Sequence, residues 1–107
     1  MGMESSVVPF GMNDQMLARR IAQVAQDSSK VILMPHAKKR MRERNILWTQ
    51  IIQVLRKGSV VEPAHRNIRG NWQCTLKLVV AGDEIKLAAV LEENEAGESV
   101  IVLTVMN

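Results

Sequence analysis

Apolar residues recur with a helical period along the first half of the chain and with a strand period along the second, and the change falls at Gly58. Leu17, Ala18, Ile21, Val24 and Ala25 fall within about 100° on a 3.6-residue wheel, which predicts a helix capped by Asn13 or Asp14 and running to about Asp27. Lys30 to Met34 reads as a short strand. Pro35 suits the first turn of a second helix, which runs to about Arg44 and stops near Asn45 as a C-terminal cap residue. A third helix, about Trp48 to Lys57, gathers Trp48, Ile51, Ile52, Val54 and Leu55 on one broad face and ends at Gly58.

Beyond Gly58, alternation predicts strands at 59–62, 71–81, 84–92 and 98–106, with turns at Ala81-Gly82-Asp83 and Asn94-Glu95-Ala96-Gly97. The last three strands form a meander. Alternation sets Trp72, Cys74, Leu76, Leu78 and Val80 on one side of the sheet and Gln73, Thr75, Lys77 and Val79 on the other. In the next strand Lys86, Ala88 and Val90 oppose Ile85, Leu87, Ala89 and Leu91, so the more polar face carries two lysines. Whether Thr104 joins them depends on register, which alternation leaves open. The stretches Leu76 to Val80 and Val100 to Val105 are expected at the sheet's centre. The fold class is α+β: helices packed on one face of a mainly antiparallel four- to five-stranded sheet, in the order α-β-α-α-β-β-β-β. Residues 1–11, which lack a period, are expected to form a flexible tail before a single domain at 12–107.

Composition narrows the class. With 107 residues, 47% hydrophobic and 23% charged, the chain is neither disordered nor fibrous. It has no apolar run of membrane-spanning length and no basic-then-apolar leader, so a cytoplasmic protein with no membrane partner is expected. The single cysteine, Cys74, agrees with a reducing compartment. His36, His65 and Cys74 are too few and too scattered for a zinc site, and neither a Gly-rich phosphate loop nor a serine elbow is present. No metal or other cofactor is expected. Glu92, Glu93, Glu95 and Glu98 read as a solvated run at a turn.

Charge is unevenly placed. Residues 1–82 hold 13 Lys and Arg against 5 Asp and Glu, whereas residues 83–107 hold 1 against 6. Residues 30–77 alone hold 11 basic and 2 acidic side chains, an excess that attracts phosphates, an acidic protein or an anionic surface, or is simply a solvated basic face. Phe10, Trp48 and Trp72 are the only aromatics, so any nucleic acid would be held by its backbone and not by stacking.

The second helix concentrates the candidate chemistry. His36, Arg40 and Arg44 fall at about 0°, 40° and 80° on the wheel, beside Ala37 and Met41 at the buried seam. Partial shielding there strengthens anion binding and suits a phosphodiester. The same spacing equally suits a packing role, with His36 bonding backbone and the arginines tying the helix to sheet carbonyls. Lys38 and Arg42 lie on the opposite flank, and Lys39 and Glu43 point farthest out as a weak i,i+4 pair; the three cations are solvated or touch phosphate. His65, Arg66 and Arg69 form a second basic group in the turn before Trp72, placed for ligand contact or for packing.

The stretch His36-Ala37-x-x-Arg40-Met41-x-x-Arg44-Asn45-Ile46, a helix ending Val54-Leu55-x-x-Gly58, and the final strand Ile101-Val102-Leu103-Thr104-Val105 together resemble small bacterial proteins of unknown function grouped with the RelE/ParE-like toxins. The resemblance covers about residues 31–106. Asn45 replaces the glycine usual in that motif, Leu47 stands where a Ser or Thr cap is usual, and no Tyr follows in the strands. The resemblance implies a toxin of the toxin-antitoxin type with a cognate antitoxin, a fold used either for metal-independent cleavage of RNA or ribosome-associated RNA or for poisoning a protein target such as DNA gyrase; the first use, a metal-independent endoribonuclease, is the leading expectation. In such a mechanism the 2′-hydroxyl attacks the adjacent phosphorus, with His36 as general acid or base and Arg40, Arg44 and Arg66 stabilising the added charge. Lys77, Lys86 and Thr104 are secondary candidates for binding RNA, beside Lys38, Lys39, Arg42, His65 and Arg69. The competing expectation is a non-catalytic basic module that grips an acidic protein, either an antitoxin or a target such as DNA gyrase.

Overall fold

The computed structural model describes residues 12–106, so the expected tail at 1–11 lies outside the described residues. Asn13 opens helix α1 (Asp14–Val24): its side-chain oxygen accepts from the Met16 amide at 2.8 Å. Leu17, Ile21, Val24 and Ala25 are buried, as their spacing predicts. The helix stops short of Asp27 because that carboxylate accepts from both the amide and the hydroxyl of Ser29, at 3.1 and 2.6 Å. These bonds favour a single 3₁₀ turn (Ser28–Lys30) over further helix.

Strand β1 (Val31–Leu33) leads into α2 (Pro35–Arg44), with Pro35 in its first turn. Asn45 ends α2 in the left-handed region (φ 57°, ψ 41°), and the Ile46 amide closes the turn onto the Met41 carbonyl at 2.9 Å. Helix α3 (Trp48–Lys57) has no hydroxyl cap; instead the Gln50 side chain accepts from the Leu47 amide at 2.9 Å. Ile51, Ile52, Val54 and Leu55 are buried, but Trp48, expected among them, lies exposed in the first turn. Gly58 is extended (φ −68°), so glycine is not required there by a left-handed cap. Space requires it: a Cβ would sit 2.6 Å from the Val54 carbonyl oxygen and 3.1 Å from that of Lys77.

Strands β2 (Ser59–Arg66), β3 (Trp72–Val80), β4 (Asp83–Asn94) and β5 (Gly97–Met106) complete a five-stranded mixed sheet in the order β1-β5-β4-β3-β2. Among the described residues only the β1–β5 pair is parallel. The expected centre at Leu76–Val80 and Val100–Val105 falls on β3 and β5, which flank the central β4. Strand β2 runs past its expected end at Glu62 because Pro63 is tolerated on an edge strand, where the pairing with β3 shifts register on either side of Glu62. His65 and Arg66 therefore sit at the end of a strand, and of the predicted turn cluster only Arg69 is in the turn.

Helices α1 and α3 cover one face of the sheet, burying Cys74, Leu76, Ile85, Leu87, Ala89, Leu91, Val100, Val102 and Val105. The opposite face carries Gln73, Thr75, Lys77 and Val79 of β3 beside Glu84, Lys86, Ala88, Val90 and Glu92 of β4. Ala88 and Val90 are buried there but lie outside the helix-covered core. A bulge settles Thr104: Ala89 pairs with Val102 while Ala88 pairs with Thr104, so Leu103 is a surplus residue and Thr104 joins the lysine face.

Candidate functional site

Helix α2 packs chiefly along the outer edge of β5, beyond the short stretch that β1 covers. The Met34 amide donates to the Val102 carbonyl at 3.0 Å, and Arg40 Nε donates to the Val105 carbonyl at 3.3 Å. A helix on a sheet edge buries only a narrow stripe, here Ala37 fully and Met41 in part. Arg40 is accordingly half-buried, whereas His36 and Arg44, expected to be shielded at the same seam, are exposed. Glu43 pairs with Arg40 at 3.8 Å, not with Lys39 as the spacing suggests.

The register draws three further candidates toward Arg40. Leu76, Leu87 and Val105 form one transverse row and Lys77, Lys86 and Met106 the next. Arg40 at the sheet edge, Lys86 on β4 and Lys77 on β3 thus lie across the same end of the sheet. Thr104 is opposite Ala88, one position diagonal from Lys86, with Cα atoms roughly 7–8 Å apart. Like charges directly opposite each other destabilise a sheet. Glu84 relieves Lys77 at 3.7 Å, and no ion pair forms on Lys86 among the described residues. His36 lies one helical turn from Arg40, an axial rise of about 6 Å.

The remaining candidates lie elsewhere. Lys38 and Arg42 rim a depression of about 440 Å³ floored by Leu33, Met41, Ile46 and Leu47, while Lys39 is exposed. Arg66 stands over the Trp72 ring at 5.0 Å and donates to the Gly70 carbonyl at 3.3 Å; His65 Nδ1 is 3.1 Å from the Pro63 carbonyl. Arg66 pairs with Trp72, and its row continues through Leu91 to Val100. That is five residues and three strands from Val105, a backbone separation of roughly 20 Å. Arg66 and Arg40 therefore belong to different places on the surface.

Arg69 borders a groove of about 350 Å³ on the uncovered face, floored by Met34, Val90, Ile101 and Leu103. Its rim is the 67–71 loop, which Asn67 holds by accepting from the Arg69 and Asn71 amides at 3.0 and 3.1 Å. Ile68 projects from that loop fully exposed, at 101%. Gln73 and Glu92 complete the lining. Sequence reasoning missed these groups, though Asn67-x-x-Gly70-Asn71 is a turn pattern that marks a built loop. Glu92 does not belong to a solvated run: it is half-buried on β4, and Glu98 of the same run pairs with Arg20.

Cys74, 1% exposed in the core, takes no part; burial, aided by the Asp14 carboxylate, pushes its thiol up to about 11. No set of three or more His, Cys, Asp or Glu side chains among the described residues is grouped to hold a metal ion. No helix among them is long and apolar enough to cross a membrane.

No curated protein and no solved structure matches the chain significantly. A family model, that of a domain of unknown function (DUF4258), matches residues 33–107, from the end of β1 through α2 and every strand that follows. With most of its length matched, including the basic helix and the lysine face, the chain belongs to the DUF4258 family.

Proposed function

We propose that the protein is a RelE/ParE-like toxin that binds RNA across the β5 end of its sheet and cleaves it without a metal. The observation that carries this reading is the transverse alignment of Arg40, Lys86 and Lys77, with the Thr104 hydroxyl beside them. Arg40 and Lys77 each have a carboxylate beside them, Glu43 and Glu84, which leaves Lys86 as the cation of this band with no ion pair among the described residues and the one best suited to a phosphodiester. A ribose 2′-hydroxyl attacks the neighbouring phosphorus and the 5′-oxygen leaves. His36, exposed one turn from Arg40, serves as general acid or base, and the cations offset charge on the five-coordinate phosphorus. Arg44 and Lys39 extend the positive helix along the strand, whereas Arg66 is too far away to share the reaction.

The test is mixed-sequence RNA incubated with the protein in EDTA, compared with folded His36→Ala and Lys86→Ala variants. The reading requires cleavage to 2′,3′-cyclic phosphate ends by the parent, with DNA left intact, and a loss of at least about tenfold in each variant. RNA left whole by the parent overturns it.

One observation favours a second reading, a partner-binding module. The depression rimmed by Lys38 and Arg42 is apolar at its floor and basic at its edge, which suits an amphipathic acidic segment of an antitoxin or target protein. Salt-sensitive binding of acidic peptides that Lys38→Glu abolishes, with no RNA turnover, would favour it over the first.

A further inference from the structure

The groove on the uncovered face combines an apolar floor with an acidic wall, although a phosphate backbone has no use for a carboxylate. Glu92 is half-buried there, and no hydrogen bond or ion pair engages it among the described residues. Arg69 lines the same groove without pairing to it. Gln73 accepts from the side-chain NH₂ of Asn67 through its oxygen at 3.4 Å, which leaves its own NH₂ group as a donor. The rim is fixed in advance by the Asn67 bonds, so little ordering remains to be done when a ligand enters.

We infer that this groove reads a guanine base of the bound strand. The inference rests on the RNA reading above and adds to it the base that is recognised. Ile101 and Leu103, both part-exposed above the buried Val90, offer an apolar contact to a base, and Met34 offers its polarizable sulfur. A carboxylate accepts from two neighbouring donors, and guanine alone among the four bases presents two side by side, N1–H and the 2-amino group. The Gln73 NH₂ group then donates to O6, while Arg69 meets an adjoining phosphate. The row Gln73–Val90–Ile101 lies four residues along β4 from the lysine row Lys77–Lys86–Met106, roughly 13 Å, a gap that two nucleotides span. A single strand would thus run from the lysine band to the groove.

The experiment is fluorescence anisotropy with labelled hexaribonucleotides in EDTA, carrying 2′-O-methyl sugars so that no strand is cut. One is all uridine; the others carry a single guanosine, adenosine or cytidine. The parent is expected to bind the guanosine strand about tenfold more tightly than the rest. Glu92→Gln reduces that preference to less than about twofold without weakening binding of the uridine strand, from which a repelling charge has been removed, whereas Lys86→Ala weakens all four alike. Gln73→Leu gives an independent second reading should Glu92→Gln disturb folding. Equal binding of the four strands by the parent, or a guanosine preference that survives both groove variants, overturns this inference and leaves the RNA reading standing. Failure to bind any strand overturns both.

Discussion

Lys77 and Lys86 are direct cross-strand partners on the uncovered face, with Glu84 near the first of them only. Such a pair costs the sheet roughly 0.2–1 kcal/mol. Lys86→Gln is therefore expected to raise unfolding free energy by about 0.5 kcal/mol in urea titration while weakening RNA binding several-fold. A variant that is both less stable and equally able to bind RNA would show that the pair serves neither role.

Gly58 is held between two carbonyl oxygens that cannot move without shifting either α3 or β3. Gly58→Ala should destabilise the protein by about 2 kcal/mol, seen as a lower urea midpoint with an unchanged slope. Were left-handed backbone the reason for glycine here, Asn would rescue Ala; at φ −68° it should not.

Ala81 is the reverse case. It occupies the left-handed region (φ 52°) ahead of Gly82 (φ 86°) in the two-residue turn joining β3 to β4. Asn tolerates that conformation better than Ala, and Asn-Gly is the favoured pair in such a hairpin. Ala81→Asn is expected to raise stability by about 0.5 kcal/mol in thermal melts, with no change in RNA binding.

The Cys74 thiol, raised from its ordinary value of 9.0 to about 11 in the folded protein, stays protonated where the unfolded chain would ionise. Its stabilising contribution is complete below pH 9.0 and is lost as pH climbs toward 11. Relative to Cys74→Ala, the parent should lose on the order of 2 kcal/mol between pH 8 and pH 10.5 in parallel urea titrations. Alkylation at pH 8 should likewise be slow until denaturant is added.

Burial periodicity made much of the architecture readable, since a sequence in which Leu17, Ile21 and Val24 or Cys74 and Leu76 share a face has few other ways to hide them. The failures have local causes. Asp27 diverted its helix through side-chain bonds that compete with the backbone, and Pro63 marked an edge strand, not an end. The site was legible residue by residue but not as a set. Lys77, Lys86 and Thr104 could be placed on strands, yet their meeting depends on register and on one bulge, which alternation does not encode. Arg40 was recognised with two possible roles, and its bond to the Val105 carbonyl fulfils the packing role, at the end of the sheet that carries the lysines.

The surplus residue in β5 has a consequence for chain length. A regular strand gives each face every second residue, but the extra position lets Leu103 line the groove and Thr104 join the lysines in immediate succession. Deleting Leu103 would leave the pairs on both sides of it in phase and remove only its own part of the groove's floor. Deleting a residue between Gly97 and Val102 would instead put the preceding part of the strand out of phase, directing its apolar side chains away from α1 and polar ones toward it. The strand thus has a single position where a one-residue change in length would alter recognition without turning its faces over.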